Sequence, residues 1–467
     1  MSFALRTWPR RLVARPWLLA FLPINAATSG FGVVLPLLIL IPLHGDWANV
    51  AVAATLYNTA LILSSVVWGH LADRYPYRRG FLIANYAAYA GLYAALLHVG
   101  SLPALYAIYA AIGAIAPAGA SASNLLILEK FTETERATAF ASFQEVSMIG
   151  SIIGLLLGYF WTLGSQGLLA LLGVFAAFAL ASAVAVAWGI SVPWRRHRTA
   201  HVAGQPESLA SRLRPAGPAQ TAVPFFPHRP KLWPAPVRRL RAWAREELRH
   251  EVPLIMIASF LFNFSANLFN ISYTPYLYSI GLAASAIFLV NLSNNFAQTL
   301  VFPVTGGLAN RLGPDRIVRS STYLRGVGYL ATAGLTFVAL ARGSAFGANL
   351  AIYALLGGAI AVYTTASTLI LFRGIAGRDA GSLLGVNSAL GGVAAVAGAG
   401  ISGLLAVFGS YRLVFLVSGV VLLTSLPLWT AASLAYRRRH PDPPPVAASP
   451  PAGDPTPGVE PVAAKAH

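Results

Sequence analysis

The chain has no cysteine, so disulfides, thiolate metal sites and a cysteine nucleophile are all excluded. Charge is almost as scarce. Only 10% of the 467 residues are charged, against 56% hydrophobic, where an ordinary soluble domain carries roughly a quarter charged. So few charges cannot cover the surface of a soluble protein of this length, and lipid is the solvent that resolves the deficit. Lysine is confined to Lys130, Lys231 and Lys465, and none of them follows a glycine. The chain therefore carries no phosphate loop and is no ATP-driven pump. G-x-S-x-G and H-E-x-x-H are absent, and the nine histidines are scattered. No enzyme, cofactor or metal site is expected.

What the chain does have is long apolar runs. Stretches able to cross about 30 Å of hydrocarbon fall near 17–42, 48–71, 80–99, 103–128, 137–161 and 168–192. They resume near 253–279, 284–309, 320–341, 347–372, 381–408 and 411–435. Six and six predict an all-α membrane protein with 12 transmembrane helices in two bundles. The first run carries Pro23 and Pro36 and is too long for a signal-peptide core, so its retention is expected.

The net charge of +18 would suggest nucleic acid in a soluble protein. Its placement argues otherwise. Basic residues fall in the N-terminus (Arg6, Arg10, Arg11, Arg15), the second loop (Arg74, Arg78, Arg79) and the fourth (Lys130, Arg136). The linker 193–252 holds twelve more. Arg311, Arg316 and Arg319 follow, then Arg373 and Arg378, Arg437 to Arg439, and Lys465. Thirty of the 33 thus lie on one side of a multi-span topology, as the excess of arginine on cytoplasmic loops requires. The partner is a lipid bilayer and not nucleic acid, and both termini are expected in the cytoplasm of a cell bounded by this membrane.

The resulting organisation is a cytoplasmic N-terminus (1–16), a six-helix bundle (17–192), a cytoplasmic linker (193–252), a second bundle (253–435) and a tail (436–467). The linker is proline-rich from Pro193 to Pro236, then places Val237, Leu240, Ala244 and Leu248 at helical spacing among arginines and Trp243. That pattern predicts a helix lying on the inner leaflet. The Pro/Ala-rich tail is expected to be disordered.

Overlaying the halves reveals a repeat. Gly69-His70-Leu71-Ala72-Asp73-Arg74 closes the second span, and Gly306-Gly307-Leu308-Ala309-Asn310-Arg311 closes the eighth, 237 residues later. Arg79 falls on Arg316 at the same offset, and Arg136 and Arg378 precede the fifth and eleventh spans. At these residues the chain resembles the major facilitator superfamily, whose loop between helices 2 and 3 typically reads G-x-L-A-D-R-x-G-R-[RK]. Pro76 stands where the family usually has Gly, Tyr77 replaces the first basic residue, and Asn310 replaces the second acid. The resemblance implies two six-helix bundles rocking about a central cavity. It makes Gly69, Asp73, Arg74, Arg79, Arg136, Gly306, Asn310, Arg311 and Arg378 candidates for a cytoplasmic gate. Gly69 would permit close backbone approach, and Asp73 would cap a helix end or pair with arginine.

Charges inside the bilayer need a reason. Glu145 is the only acid well inside a predicted span, about 12 Å from the cytoplasmic end of the fifth. Either it takes up and releases a proton during transport, or it forms a static pair with Arg136 or Arg378. Arg325 lies about two turns into the ninth predicted span, where snorkelling to the headgroups accounts for it and a substrate role is the alternative. Asn263, Asn267 and Asn270 repeat at helical spacing on the seventh span, as do Asn291, Asn294, Asn295 and Gln298 on the eighth. Such stripes cannot face lipid. They face either a cavity or another helix, and a mid-membrane solute site is where transporters bind. Asn25, Thr28 and Ser29 reach a similar depth on the first span, and Tyr273, Tyr276, Tyr353 and Tyr363 supply apolar walls. Gly150, Gly154 and Gly158 form a small-residue ridge that signals close helix packing.

These features predict secondary transport of a small organic solute, with proton-coupled efflux favoured, uptake or uniport as the alternative, and a monomer as the working unit. A membrane receptor that kept the transporter fold is the reading from another class.

Overall fold

The computed structural model describes residues 16–74, 77–130, 133–164, 167–190, 251–338, 340–375, 380–408 and 410–439. The N-terminus, the linker with its basic amphipathic stretch, Arg378 and the tail lie outside them, as do the side chains of His70, Asp73, Arg74, Arg136 and Asn310. The described residues form a short 3₁₀ turn, Pro16–Phe21, and twelve α-helices. In chain order these are α1 (Leu22–Leu40), α2 (Trp47–Arg74), α3 (Arg78–Leu96), α4 (Leu102–Lys130), α5 (Glu133–Leu163) and α6 (Leu168–Gly189). After the linker come α7 (Glu251–Ser279), α8 (Ala284–Leu312), α9 (Pro314–Leu335), α10 (Arg342–Ile375), α11 (Ala380–Phe408) and α12 (Tyr411–Arg439).

Nine of the twelve are long and apolar enough among the described residues to cross a membrane. Their outer faces expose large apolar side chains, among them Trp188, Leu63, Phe160 and Leu404. That surface is tolerable only against hydrocarbon. Pro36, Pro117, Pro275, Pro303 and Pro427 sit inside helices, where neighbouring helices and side chains can re-satisfy the freed backbone groups.

The two halves pack alike. In the first, α1 packs on α5 and α6, α3 on α4 and α6, and α2 on α4. In the second, α7 packs on α11 and α12, α9 on α10 and α12, and α8 on α10. Each pair is the other moved six helices along the chain. The bundles meet along two seams that are also counterparts, α2 on α11 and α5 on α8.

The repeat holds at the level of single residues. A Cβ at Gly113 would strike the Tyr57 carbonyl, and one at Gly357 would strike the Asn294 carbonyl. Tyr57 and Asn294 are 237 residues apart, the offset of the Gly69 and Gly306 motifs. Gly150 meets Leu22 O at 2.6 Å and Asn25 Cβ at 2.8 Å, while Gly398 meets Phe264 O at 2.7 Å and Asn267 Cβ at 3.1 Å. The glycine ridge of α5 thus seats α1 through Gly150 and Gly154, and Gly158 receives Phe288 of α8 across the bundle seam.

Two expectations change. The ninth helix runs Pro314–Leu335 and not 320–341. Gly313 takes φ 82°, Pro314 opens the helix and Asp315 occupies its first turn, a sound helix start. The charges that looked like loop are the first turns of the helix itself. Arg325 consequently lies at mid-helix and is only 4% exposed, so it does not snorkel. Among the described residues nothing lies within 4 Å of a Cβ added at Gly306, whereas Gly113 and Gly357 are sites of close helix approach.

The buried positions of α3, Leu82, Asn85, Tyr86, Tyr89, Tyr93 and Leu96, match those of α9, Val318, Ser321, Thr322, Arg325, Tyr329 and Thr332. That offset is 236, one short of the motif's. In three dimensions Arg79 therefore aligns with Asp315, not Arg316.

Candidate solute site

Two ends of the molecule need naming. The linker end is where α1 begins and α12 finishes; the opposite end carries the loop between α1 and α2. At the opposite end the bundles are joined. Trp47, opening α2, donates its indole N–H to Ser272 Oγ of α7 at 3.1 Å. Ser272 is itself 2.7 Å from Ser402 Oγ of α11. Tyr411 of α12 stacks on Trp47 with centroids 4.3 Å apart. One turn further in, an added Cβ at Gly403 would lie 3.1 Å from Ala51.

Inside the first bundle lies a cleft of about 290 Å³ between α1, α3, α4 and α5. Asn25, Thr28, Asn85, Ser123, Asn124, Gln144 and Ser147 line it, with Phe21, Tyr86, Tyr89 and Phe143 as aromatic walls. Among the described residues, no lining side chain is charged. Five of its polar side chains donate to backbone carbonyls. Asn25 donates to Phe21 O at 2.7 Å, Asn85 to Ile115 O at 2.7 Å, Thr28 to Ile24 O at 3.0 Å, Ser123 to Gly119 O at 2.7 Å and Ser147 to Phe143 O at 2.9 Å. The remaining amide N–H groups, the tyrosine hydroxyls, the amide oxygens and the hydroxyl lone pairs offer both donors and acceptors. The surface suits a polar, uncharged part of an organic solute. Gly119 leaves room for the Asn85 amide, since a Cβ there would lie 2.5 Å from Asn85 Oδ1.

Of the residues singled out from sequence, Asn25 and Thr28 line this cleft. Ser29 does not; it donates to Ser151 Oγ at 2.7 Å and ties α1 to α5. Glu145 follows Gln144 on α5, half-buried and within the apolar span Ser142–Leu163.

The amides of the second bundle fall into two groups. Asn263 and Asn267 donate one turn back along α7, to Ser259 O and Asn263 O, both at 2.8 Å, and Asn267 lies against Gly398 of α11. Asn295 donates to Asn291 O at 3.2 Å within α8. Asn294 instead crosses to α10, donating to Tyr353 O at 2.9 Å, and Gln298 donates to Asn294 Oδ1 at 2.7 Å. That pair joins two helices.

Tyr273, Tyr353 and Tyr363 are packed inside the second bundle. Tyr273 is 1% exposed, donates to Asn349 Oδ1 at 3.2 Å and stacks on Tyr353 at 4.3 Å. Tyr363 stacks on Phe262.

Among the gate candidates, Arg79 is exposed and donates through Nη2 to Ala187 O at the end of α6. The contact caps a helix within its own bundle and does not cross between bundles. Arg311 is exposed at the end of α8.

Sequence reading passed over Asn85, Asn124, Gln144 and Ser147. They are scattered among small and apolar residues without a repeating stripe. The available signal was their common depth, counted from the same end of three antiparallel helices.

Two quasi-equivalent bundles of six helices, sealed together at one end and enclosing a polar cleft, define a polytopic carrier and not an enzyme. The chain belongs to the Major Facilitator Superfamily, whose family model matches residues 17–370 and 255–463. Among solved structures it is similar to the nucleoside transporter NupG, with TM-score 0.65, 13% identity and coverage of 91% of this chain and 99% of that one. A single-site mutant of the same transporter gives TM-score 0.66, 13% identity and coverage of 90% and 99%. An auto-inhibited POT family peptide transporter gives TM-score 0.66, 14% identity and coverage of 92% and 97%. At such identities the likeness is one of fold. No curated protein matches the chain.

Proposed function

We propose that the protein exports a small neutral or amphiphilic organic solute in exchange for protons, by alternating access. It would work as a monomer in the cell membrane, with the linker end in the cytoplasm. The observation that carries the reading is the polar, aromatic-walled cleft whose described lining is uncharged, with Glu145 following the lining residue Gln144 on α5. The latch of Trp47 and Ser272 adds a state in which the far end is shut, so the solute would enter from the cytoplasm. The arginine excess at the linker end supports that orientation. The structural neighbours are named for nucleosides and a peptide, which agrees with an organic cargo.

Glu145 is the proposed proton carrier because a carboxylate within an apolar span is costly when charged and cheap when protonated. The test is proton movement in proteoliposomes challenged with a panel of organic solutes. Solute-dependent proton flux that is lost in Glu145→Gln supports coupled export. Solute counterflow with no proton flux returns Glu145 to a structural role and makes the protein a uniporter or exchanger.

A further inference from the structure

Arg325 is a guanidinium buried at mid-membrane depth without an acid of its own bundle beside it. Glu251 opens α7 at the linker end, eleven residues or about 16 Å of helical rise before Phe262. Between Val252 and Gly377 the only acid is Asp315, ten residues back along α9, or about 15 Å. Asp379 precedes α11 at the linker end, and no acid follows before Asp442. A guanidinium stays charged in a protein, so this one needs a counter-charge from elsewhere.

Its surroundings are aromatic. Nε donates to Tyr329 OH at 2.5 Å, and the guanidinium lies 5.0 Å from the ring centre of Phe262. Phe262 stacks face to face on Tyr363, with centroids 3.4 Å apart, and Trp429 meets Tyr363 edge-on at 6.1 Å. Two buried donors in this cluster have no acceptor among the described residues: Arg325 Nη1 and Trp429 Nε1. Rings can partly stabilise the cation, but they leave both N–H groups unanswered.

The repeat says what the position is for. Arg325 stands where the first bundle has Tyr89, and Tyr363 stands where it has Gly119, 244 residues earlier, the offset that also joins Gly113 to Gly357. Tyr89 and Gly119 both line the open cleft. The second bundle thus holds the counterpart of that cleft, filled by the Tyr363 ring and floored by a cation.

We propose that this is an anion subsite: Arg325 and Trp429 bind the carboxylate of an aromatic monocarboxylate cargo when the Phe262–Tyr363 stack parts, and the remainder of the cargo lies against the first bundle. The inference rests on the transport reading above and narrows its substrate class. One positive centre among rings selects a single carboxylate attached to an aromatic body, and rejects polyanions.

The probes are 1-naphthoate and 1-naphthamide, isosteric and differing in charge. Uptake of each into proteoliposomes is measured for wild type, Arg325→Gln and Arg325→Lys. Wild type is expected to favour the carboxylate roughly tenfold or more. Arg325→Gln should bring the ratio to about one while the amide still moves, and Arg325→Lys should restore part of it. A preference unchanged in Arg325→Gln overturns the proposal, as does a wild type without one. Should Arg325→Gln not fold, the melting temperature of wild type alone decides. Stabilisation by the carboxylate and not the amide supports the subsite; equal stabilisation, or none, overturns it. Uptake of the amide without carboxylate preference sinks the subsite and leaves transport standing. If no solute moves at all, both fall.

Discussion

The Trp47 indole donates to Ser272 Oγ at 3.1 Å, linking residues 225 apart in sequence and on opposite bundles. Both are buried, and the bond lies at the end of the molecule away from the linker. An alternating-access carrier must break this contact once per cycle. Its strength therefore sets part of the balance between the two states.

Trp47→Phe keeps a ring against Tyr411 and removes the donor. A neutral hydrogen bond of this kind contributes about 0.5–1.5 kcal/mol, so the equilibrium should move severalfold toward opening at that end. Because the chain has no cysteine, Val50→Cys gives a unique reporter one turn inside the latch. Its labelling by a membrane-impermeant maleimide is expected to quicken severalfold in the Trp47→Phe background. An unchanged rate would show that the latch does not hold the end shut.

The paired glycine contacts predict paired costs. Gly113→Ala and Gly357→Ala each push a methyl into a backbone carbonyl, of Tyr57 and Asn294 respectively. Overpacking of this kind costs about 1–3 kcal/mol, and the two losses should be similar. Gly306→Ala, with open space around it, should stay within about 0.5 kcal/mol of wild type. Thermal unfolding in detergent reads all three.

Polar residues that line the cleft should separate from those that join helices. Gln144 is exposed within the cleft, so Gln144→Ala is expected to weaken solute affinity with little change in melting temperature. Asn294 donates to Tyr353 O, and Asn294→Leu should lower stability by about 0.6 kcal/mol while affinity is kept. The reverse pattern, measured by uptake kinetics and thermal unfolding on the same preparations, would place the solute in the second bundle.

Much of the architecture is legible without coordinates because it is written in long-range features. Twelve apolar runs, the parity of the arginines and the 237-residue motif repeat all survive errors of a few residues. The α9 start does not. Asp315, Arg316 and Arg319 read as loop, since hydropathy cannot distinguish a helix emerging from the bilayer from a connection between helices. The burial of Arg325 was hidden for the same reason: shifting α9 by six residues moves it from within reach of the headgroups to the middle of the helix. The division of α8 between Asn294, which crosses to α10, and Asn295, which bonds within its own helix, depends on which face meets a neighbour. A one-dimensional stripe holds no such information.

Entrance counterflow in proteoliposomes tests the central claim most directly. Vesicles loaded with unlabelled solute and diluted into a trace of labelled solute should accumulate label transiently above equilibrium. The overshoot should be strongly slowed when Trp47 and Tyr411, which face each other at 4.3 Å, are replaced by cysteines and cross-linked by a short bifunctional maleimide. Labelled solute that binds saturably without overshoot would contradict the account and define a membrane receptor built on a carrier's fold.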